Sequence, residues 1–448
     1  MKILIVSWYF PPFNTIGAVR VGKFARFLLA QGHDVRILSG TPPNLTETLP
    51  LEIDPSRIVR TPWIDVSALP RTVQRWRKKI LPPPRPNYGV APEEIAAVLH
   101  LPETEVRRSL PDRLLHAASS FYLNIVSAPD AMAGWVPFAV ARGRKLCRDW
   151  KPDLIYASGP PFSTFLVADR LARSCGAPWV AEYRDRWVDD PYFNNWPSWR
   201  KRILTRLERR LMSRCASIVT VSEPWAQRFG EKFGKQVSVA MNGFDPRDFP
   251  LDEMPMPPLS RDKLTILYSG SIYAGKRDPA PLFKALKALG DRRRDVQVIF
   301  LGTKADYVTP LAAQFGVTDT VEVRPAVPYL ESIRMQCQAD VLLLLQWDGA
   351  EEQGHTPAKL FEYIGAMRPI LGIGLEDGVP ANIIRRHGLG LFTKDPELIR
   401  QQIETWLDEK QKGGALPDHP TEVRIGFERD NQYKKIEILL EDIAAPAH

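Results

Sequence analysis

The sequence predicts an α/β protein of two domains, each a parallel sheet with helical crossovers, and three observations predict it. Short apolar runs alternate with helix-length amphipathic stretches in both halves, from Ile3-Leu4-Ile5-Val6 to Asp340-Val341-Leu342-Leu343-Leu344-Leu345. Continuous runs of that length suit strands buried on both faces of a parallel sheet. The proline-rich stretch from Pro250 to Pro258 separates the two series and reads as a linker. A length of 448 residues exceeds one ordinary core, against a prior of about 150 residues per domain.

Composition narrows the class. An apolar share of 44% with 10% aromatics excludes long-range disorder. The net charge of +8, from 60 basic and 52 acidic residues, suits an anionic membrane surface or nucleotide substrates, and no nucleic-acid-binding signature accompanies it. Cys147, Cys175, Cys215 and Cys337 are scattered, and the histidines form no zinc spacing, so no metal site and a reduced cytoplasmic setting are expected. The opening apolar run is too short for a signal segment and no run approaches ~18 residues, so neither secretion nor membrane spanning is expected.

In the first half, a strand at Lys2 to Ser7 leads through a loop to a helix from Ala18 to Gln31 and a second strand at Val35 to Leu38, a parallel unit. Gly17, at the helix entrance, serves either a turn or the close approach of a phosphate. From 41 to 130 the alternation breaks into a basic, proline-rich insertion. Its residues Arg71 to Lys79 carry five cations around Trp76, the pattern of either an interfacial membrane helix or a solvated edge helix. A second unit follows at Asp153 to Ala157, with a helix near Ser163 to Cys175 and a strand at Trp179 to Glu182. Arg184 and Asp185 sit just past that strand, where loops of open α/β sheets build sites. They form either an acceptor-positioning pair or a surface ion cluster. The helix from Trp199 to Arg214, with Ile203, Leu204, Leu207 and Leu211 at helical spacing, reads as an ordinary amphipathic element.

The second half opens with the strand Leu264 to Gly270, whose loop brings Lys276 and Arg277 beside Gly275. The strand at Asp340 to Gln346 leads to Gly354-His355-Thr356-Pro357-Ala358-Lys359-Leu360-Phe361-Glu362. Thr356 as N-cap and Pro357 as first helical residue would place Lys359 and Glu362 on one face. A cation in a first helical turn is unfavourable by about 0.3–1 kcal/mol unless an anion lies in front of it. Lys359 is thus either an anion ligand or a solvated partner of Glu362.

Thr356 to Ile364, with Arg368-Pro369-Ile370, resembles the donor-binding motif of the retaining family 4 glycosyltransferases of GT-B fold. The opening strand, Tyr9-Phe10-Pro11-Pro12 and the glycine loop are similar to that family's first unit, and Asn242-Gly243-Phe244-Asp245 to its Asn-Gly-Val-Asp turn. The resemblance implies two Rossmann-like domains facing each other across a cleft: an acceptor domain at 1–246, a donor domain at 260–423 and a closing helix at 424–448 that crosses back. It implies transfer from a nucleotide-diphosphate sugar, with retention of configuration; the cations and the lack of any Asp-x-Asp pair point to a reaction without metal or cofactor, and the basic, Trp-bearing insertion to a glycan or lipid-linked acceptor and a cytoplasmic protein peripheral to the membrane. Gly17, Gly270, Lys276, Arg277, Thr356, Lys359 and Glu362 would hold the donor, Lys359 on the diphosphate and Glu362 on the ribose. Arg184, Asp185 and His355 would serve catalysis, His355 either contacting the sugar or capping its loop. Two positions depart from the family: Gly354 stands where a glutamate is usual, with Glu351 and Glu352 nearby, and Ser271 where an arginine is usual. A nucleotide-sugar 2-epimerase of similar fold and a degenerate scaffold subunit stay open as alternatives.

Overall fold

The computed structural model describes residues 1–42, 45–66, 121–190, 196–249, 256–272 and 276–445. The chain divides into two compact units. The first comprises Met1–Val221, Ala226–Val239 and Ile436–His448; the second comprises Ser222–Trp225 and Ala240–Lys435.

In the first unit the described strands are β1 (Lys2–Ser7), β2 (Asp34–Gly40), β3 (Ile58–Thr61), β4 (Leu154–Gly159), β5 (Trp179–Tyr183), β6 (Ser217–Thr220) and β7 (Val237–Val239). They form one sheet in the order β3-β2-β1-β4-β5-β6-β7, and every pairing is parallel. Helices α1 (Ile16–Ala30), α2 (Val136–Trp150), α3 (Ser163–Cys175), α4 (Ser198–Met212) and α5 (Glu223–Phe233), the last in this unit only from Ala226 on, lie between strands in the chain. Two expectations are corrected. The insertion is not wholly outside the alternation, because Ile58–Thr61 adds a parallel edge strand and residues 121–126 are helical. The basic segment 71–79 lies outside the described residues. α1 also starts earlier than read, at Ile16, because Thr15 Oγ1 caps it by accepting from Ala18 N at 3.1 Å.

The second unit repeats the plan with β8 (Leu264–Ser269), β9 (Val296–Leu301), β10 (Val321–Arg324), β11 (Val341–Leu345), β12 (Ile370–Ile373) and β13 (Gly390–Phe392) in the order β10-β9-β8-β11-β12-β13. Its helices are α6 (Ala280–Ala288), α7 (Ala305–Phe315), α8 (Tyr329–Gln338), α9 (Ala358–Gly365), α10 (Val379–Arg386), α11 (Pro396–Gly413) and α12 (Arg429–Ala444). Along β11, Val341, Leu343 and Leu345 enter one core layer while Leu342 and Leu344 enter the other, which is why the strand reads as an unbroken apolar run. Its base is fixed by Asp340, whose buried carboxylate accepts from Thr265 N and Oγ1, each at 2.8 Å, and from Lys410 Nζ at 2.7 Å.

The strand order reverses between β1 and β4 in the first unit and between β8 and β11 in the second. Open α/β sheets bind ligands outside the strand carboxyl ends at such switch points. The closing helix begins at Arg429, later than the expected 424, because Thr421–Arg424 forms a separate 3-10 turn. Its residues from Ile436 on belong to the first unit, where Glu437 Oε1 meets His33 Nε2 at 3.0 Å.

Candidate active site

The second unit's switch point is built by the loop after β8 and by α9. Helix α9 starts at Ala358, one residue later than read. Pro357 occupies the cap with no side-chain hydrogen bond, so the expected Thr356 N-cap is corrected; Thr356 is instead buried, its Oγ1 3.5 Å from Gly354 O. Lys359 and Glu362 nevertheless remain one turn apart. Lys359 Nζ donates to Ser269 O at 2.7 Å and stands 3.9 Å from the centre of the Tyr268 ring. A side chain on Gly270, whose φ is +111°, would put its Cβ 3.2 Å from that amine, so glycine keeps the approach open.

A second cation lies close to Lys359. Arg277 NH1 donates to Ser271 O at 3.0 Å, and Tyr268 Oη donates to the same carbonyl at 2.8 Å. Among the described residues no carboxylate forms an ion pair with Lys359. Burial lowers the Lys359 ammonium below the usual lysine range, and the Arg277 charge lowers it further against Tyr268 and Glu362. Burial alone would raise the Tyr268 phenol, but Lys359 and Arg277 together bring it below its ordinary value. Lys276 Nζ stands 5.0 Å from the Trp347 ring centre, just past β11.

Behind the amine, Glu362 is buried and receives Gln336 Nε2 at 3.4 Å. Burial raises its carboxyl above the usual glutamate range, against the opposing charges of Arg429 and Lys359. Tyr363 locks the helix to the sheet by donating its hydroxyl to Leu343 O at 3.1 Å and accepting from Ser269 N at 3.4 Å. Tyr363→Phe strips both bonds from a fully buried site, so a loss of about 1–2 kcal/mol is expected in denaturant unfolding with an unchanged m-value.

His355 lies beside buried Glu352, Nδ1 to Oε2 at 3.2 Å, and its carbonyl accepts from Gln346 Nε2 at 3.1 Å. Gly354 holds φ +92°, and a Cβ there would strike the Trp225 indole. A glutamate side chain at position 354 would therefore collide with Trp225, and Glu352 is engaged with His355.

In the first unit, Gly17 and Arg184 meet: a Cβ on Gly17 would fall on the Arg184 guanidinium, which donates to Pro160 O. Burial lowers the Arg184 guanidinium below the usual arginine range, against the opposing charges of Glu182 and Asp185. Glu182 lies beneath, bound by Arg20 Nε at 2.8 Å and by Ser158 Oγ. Burial would raise that carboxyl, but Arg20 and Ser158 hold it below its usual range. Asp185 follows Arg184 on the same loop, and the cluster occupies the carboxyl ends of β1, β4 and β5. Sequence reasoning missed Tyr268, Tyr363, Gln336 and Glu182, since a tyrosine or glutamate inside an apolar run carries no signal of its partner.

Residues 17–243 match the glycosyl transferase 4-like domain, more than half of the chain. The chain belongs to that glycosyltransferase family. Solved structures agree with the fold. The glycosyltransferase is similar to HepE from Anabaena in complex with UDP and glucose, at 12% identity over 99% of this chain and 100% of that one, with a TM-score of 0.58. It is similar to sucrose-phosphate synthase from Thermosynechococcus elongatus at 13% identity over 99% and 96%, TM-score 0.57. It is also similar to a glycosyltransferase from Rickettsia africae at 12% identity over 100% and 99%, TM-score 0.54. No curated protein sequence matches it significantly. Its fold is GT-B, two Rossmann-like domains. Among the described residues no helix of the glycosyltransferase is long and apolar enough to cross a membrane.

Proposed function

We propose that the protein transfers a sugar from a nucleotide-diphosphate sugar to a glycan or lipid-linked acceptor, without a metal or cofactor and with retention of configuration. One observation carries this reading: Lys359 sits partly buried at a switch point beside Arg277, facing a backbone carbonyl and a tyrosine ring, and among the described residues no carboxylate forms an ion pair with Lys359. A diphosphate supplies the missing countercharge. The UDP and glucose bound in HepE support the same ligand class.

Transfer breaks the bond between the anomeric carbon and the leaving phosphate oxygen, and forms one to an acceptor hydroxyl oxygen. Negative charge grows on the departing diphosphate, so Lys359, Lys276 and Arg277 stabilise that state more than the bound donor. These cations make a metal unnecessary, in keeping with a sequence that lacks any Asp-x-Asp pair. Thr356 and Gly270 shape the loops around the phosphates, Glu362 accepts from the ribose hydroxyls, and His355 faces the sugar. In the first domain Asp185 takes the acceptor's proton, Arg184 orients it, and Gly17 leaves Arg184 its room. A degenerate scaffold is the second reading, favoured by the Trp225 indole, with which a glutamate at position 354 would collide.

A panel of nucleoside diphosphates and their sugars in thermal shift tests the donor. A ligand at a hundredfold excess over its dissociation constant stabilises by about 2.7 kcal/mol. No shift with any member would overturn the reading; binding without donor hydrolysis or transfer would favour the scaffold. Glu362→Gln gives a second test. The raised Glu362 carboxyl contributes stability below the ordinary glutamate range that is lost as pH rises through its raised value. The amide removes that loss, so the variant is expected to gain stability over wild type as pH increases toward neutrality. Nucleotide affinity is expected to fall roughly 10- to 150-fold, the worth of hydrogen bonds to a charged acceptor.

A further inference from the structure

The outward face of α4 has the wrong composition for a helix facing only water. Its buried side consists of Arg200, Leu204, Glu208, Leu211 and Met212. Opposite them, Trp199, Ile203, Arg206 and Arg210 recur at i, i+4, i+7 and i+11, one stripe along the helix. Trp199 is 36% exposed and Ile203 53%, although the periodicity alone reads Ile203 as core. The neighbouring helical residues 121–126 present Phe121 at 59% and Ile125 at 50% exposure, also i and i+4. The Phe121 and Trp199 rings meet at 5.8 Å between centroids, which makes the four side chains one apolar patch.

The two elements of that patch are bonded to each other, and among the described residues the exposed charges along α4 are all positive. Buried Arg200 ties the two elements by donating NH1 to Asn124 Oδ1 at 3.0 Å and NH2 to Ser127 O at 2.9 Å. Lys201, Arg202, Arg206, Arg209 and Arg210 are exposed along α4. Its one acid, Glu208, is buried and paired with Lys232. Apolar side chains projecting between arginines match the boundary between lipid headgroups and acyl chains. A water-soluble partner would have to be both acidic and apolar.

We propose that α4 and residues 121–126 form a docking surface for an anionic lipid bilayer, with Trp199, Ile203, Phe121 and Ile125 entering the interface and the arginines meeting lipid phosphates. Its purpose rests on the proposed lipid-linked acceptor, while the binding itself does not.

Vesicle flotation of the full chain tests it, using equimolar phosphatidylcholine and phosphatidylglycerol against phosphatidylcholine alone. Binding to the anionic vesicles only, weakened by salt, is expected. Arg202→Gln with Arg206→Gln is expected to weaken it about 30-fold, at roughly 1 kcal/mol per cation near an anionic surface. Phe121→Ser with Ile203→Ser is expected to weaken it further at high salt, where the charge contribution is screened. All variants should keep the wild-type nucleotide thermal shift, which reports an intact fold. Equal binding by wild type and both variants, or no preference for anionic lipid, would overturn the proposal. So would a wild-type dimer that Ile203→Ser dissociates, because a second copy would then cover the patch. Lost nucleotide recognition with vesicle binding intact would instead sink the donor reading.

Discussion

Lys359→Ala is expected to abolish the nucleotide-diphosphate thermal shift and to lower sugar transfer by roughly 10²–10³-fold, the effect of removing one preorganised donor from a developing oxyanion. The apo protein is expected to behave in the opposite direction. Burial depresses the Lys359 ammonium, so the folded state holds fewer protons than the unfolded chain between the depressed value and the ordinary lysine range. Wild-type stability should therefore rise with pH across that window and the variant's should not. Below it, the variant should be at least as stable as wild type, because it no longer holds a charge stripped of solvent beside Arg277. Lys359→Met separates charge from packing, since it keeps an apolar stem over the Tyr268 ring. A residue whose loss stabilises the empty protein and disables the loaded one is there for its ligand. Retention of the shift in Lys359→Met would show that the amine does not meet the diphosphate.

Most of this arrangement was legible in the sequence because parallel strands write themselves as unbroken apolar runs and their loops follow directly. β1, β4, β5, β8 and β11 were read at nearly their observed positions. β3 was not, since Ile58-Val59-Arg60-Thr61 is short, has neither an unbroken apolar run nor a clean alternation, and is embedded among prolines and charges. Its pairing to β2 is a long-range fact that local pattern does not carry. At the site, the three-residue spacing of Lys359 and Glu362 survives the shifted helix start, because spacing within one helix does not depend on which residue caps it. What stands behind each was hidden: Tyr268 lies inside an apolar strand run, and no local pattern ties Gln336 to Glu362. Trp225 at Gly354 was equally invisible, since it arrives from 129 positions earlier in the chain, the difference between 354 and 225. Ile203 was misjudged for a related reason. Helical spacing gives the angular position of a side chain and leaves open what covers it.

Gly17→Ala is expected to cost transfer activity about a hundredfold while leaving the fold as stable as wild type or about 0.5–1 kcal/mol more so, since alanine is favoured over glycine within a helix. The added methyl falls on the Arg184 guanidinium, the mobile end of a long side chain, so the backbone has no reason to move. The guanidinium must leave the place it holds against α1, and its bond to Pro160 O and its alignment with Glu182 go with it. If Arg184 acts by its position, Arg184→Ala should lose activity to a similar extent, and combining the two should add little. Coupling of that kind marks residues that work through one another. Nucleotide thermal shift separates the domains, because Lys359 and Glu362 belong to the second unit and should be untouched by either change. Full transfer activity in Gly17→Ala would return the glycine to an ordinary turn position and remove Arg184 from the reaction. Additive losses in the double variant would assign the two residues separate tasks.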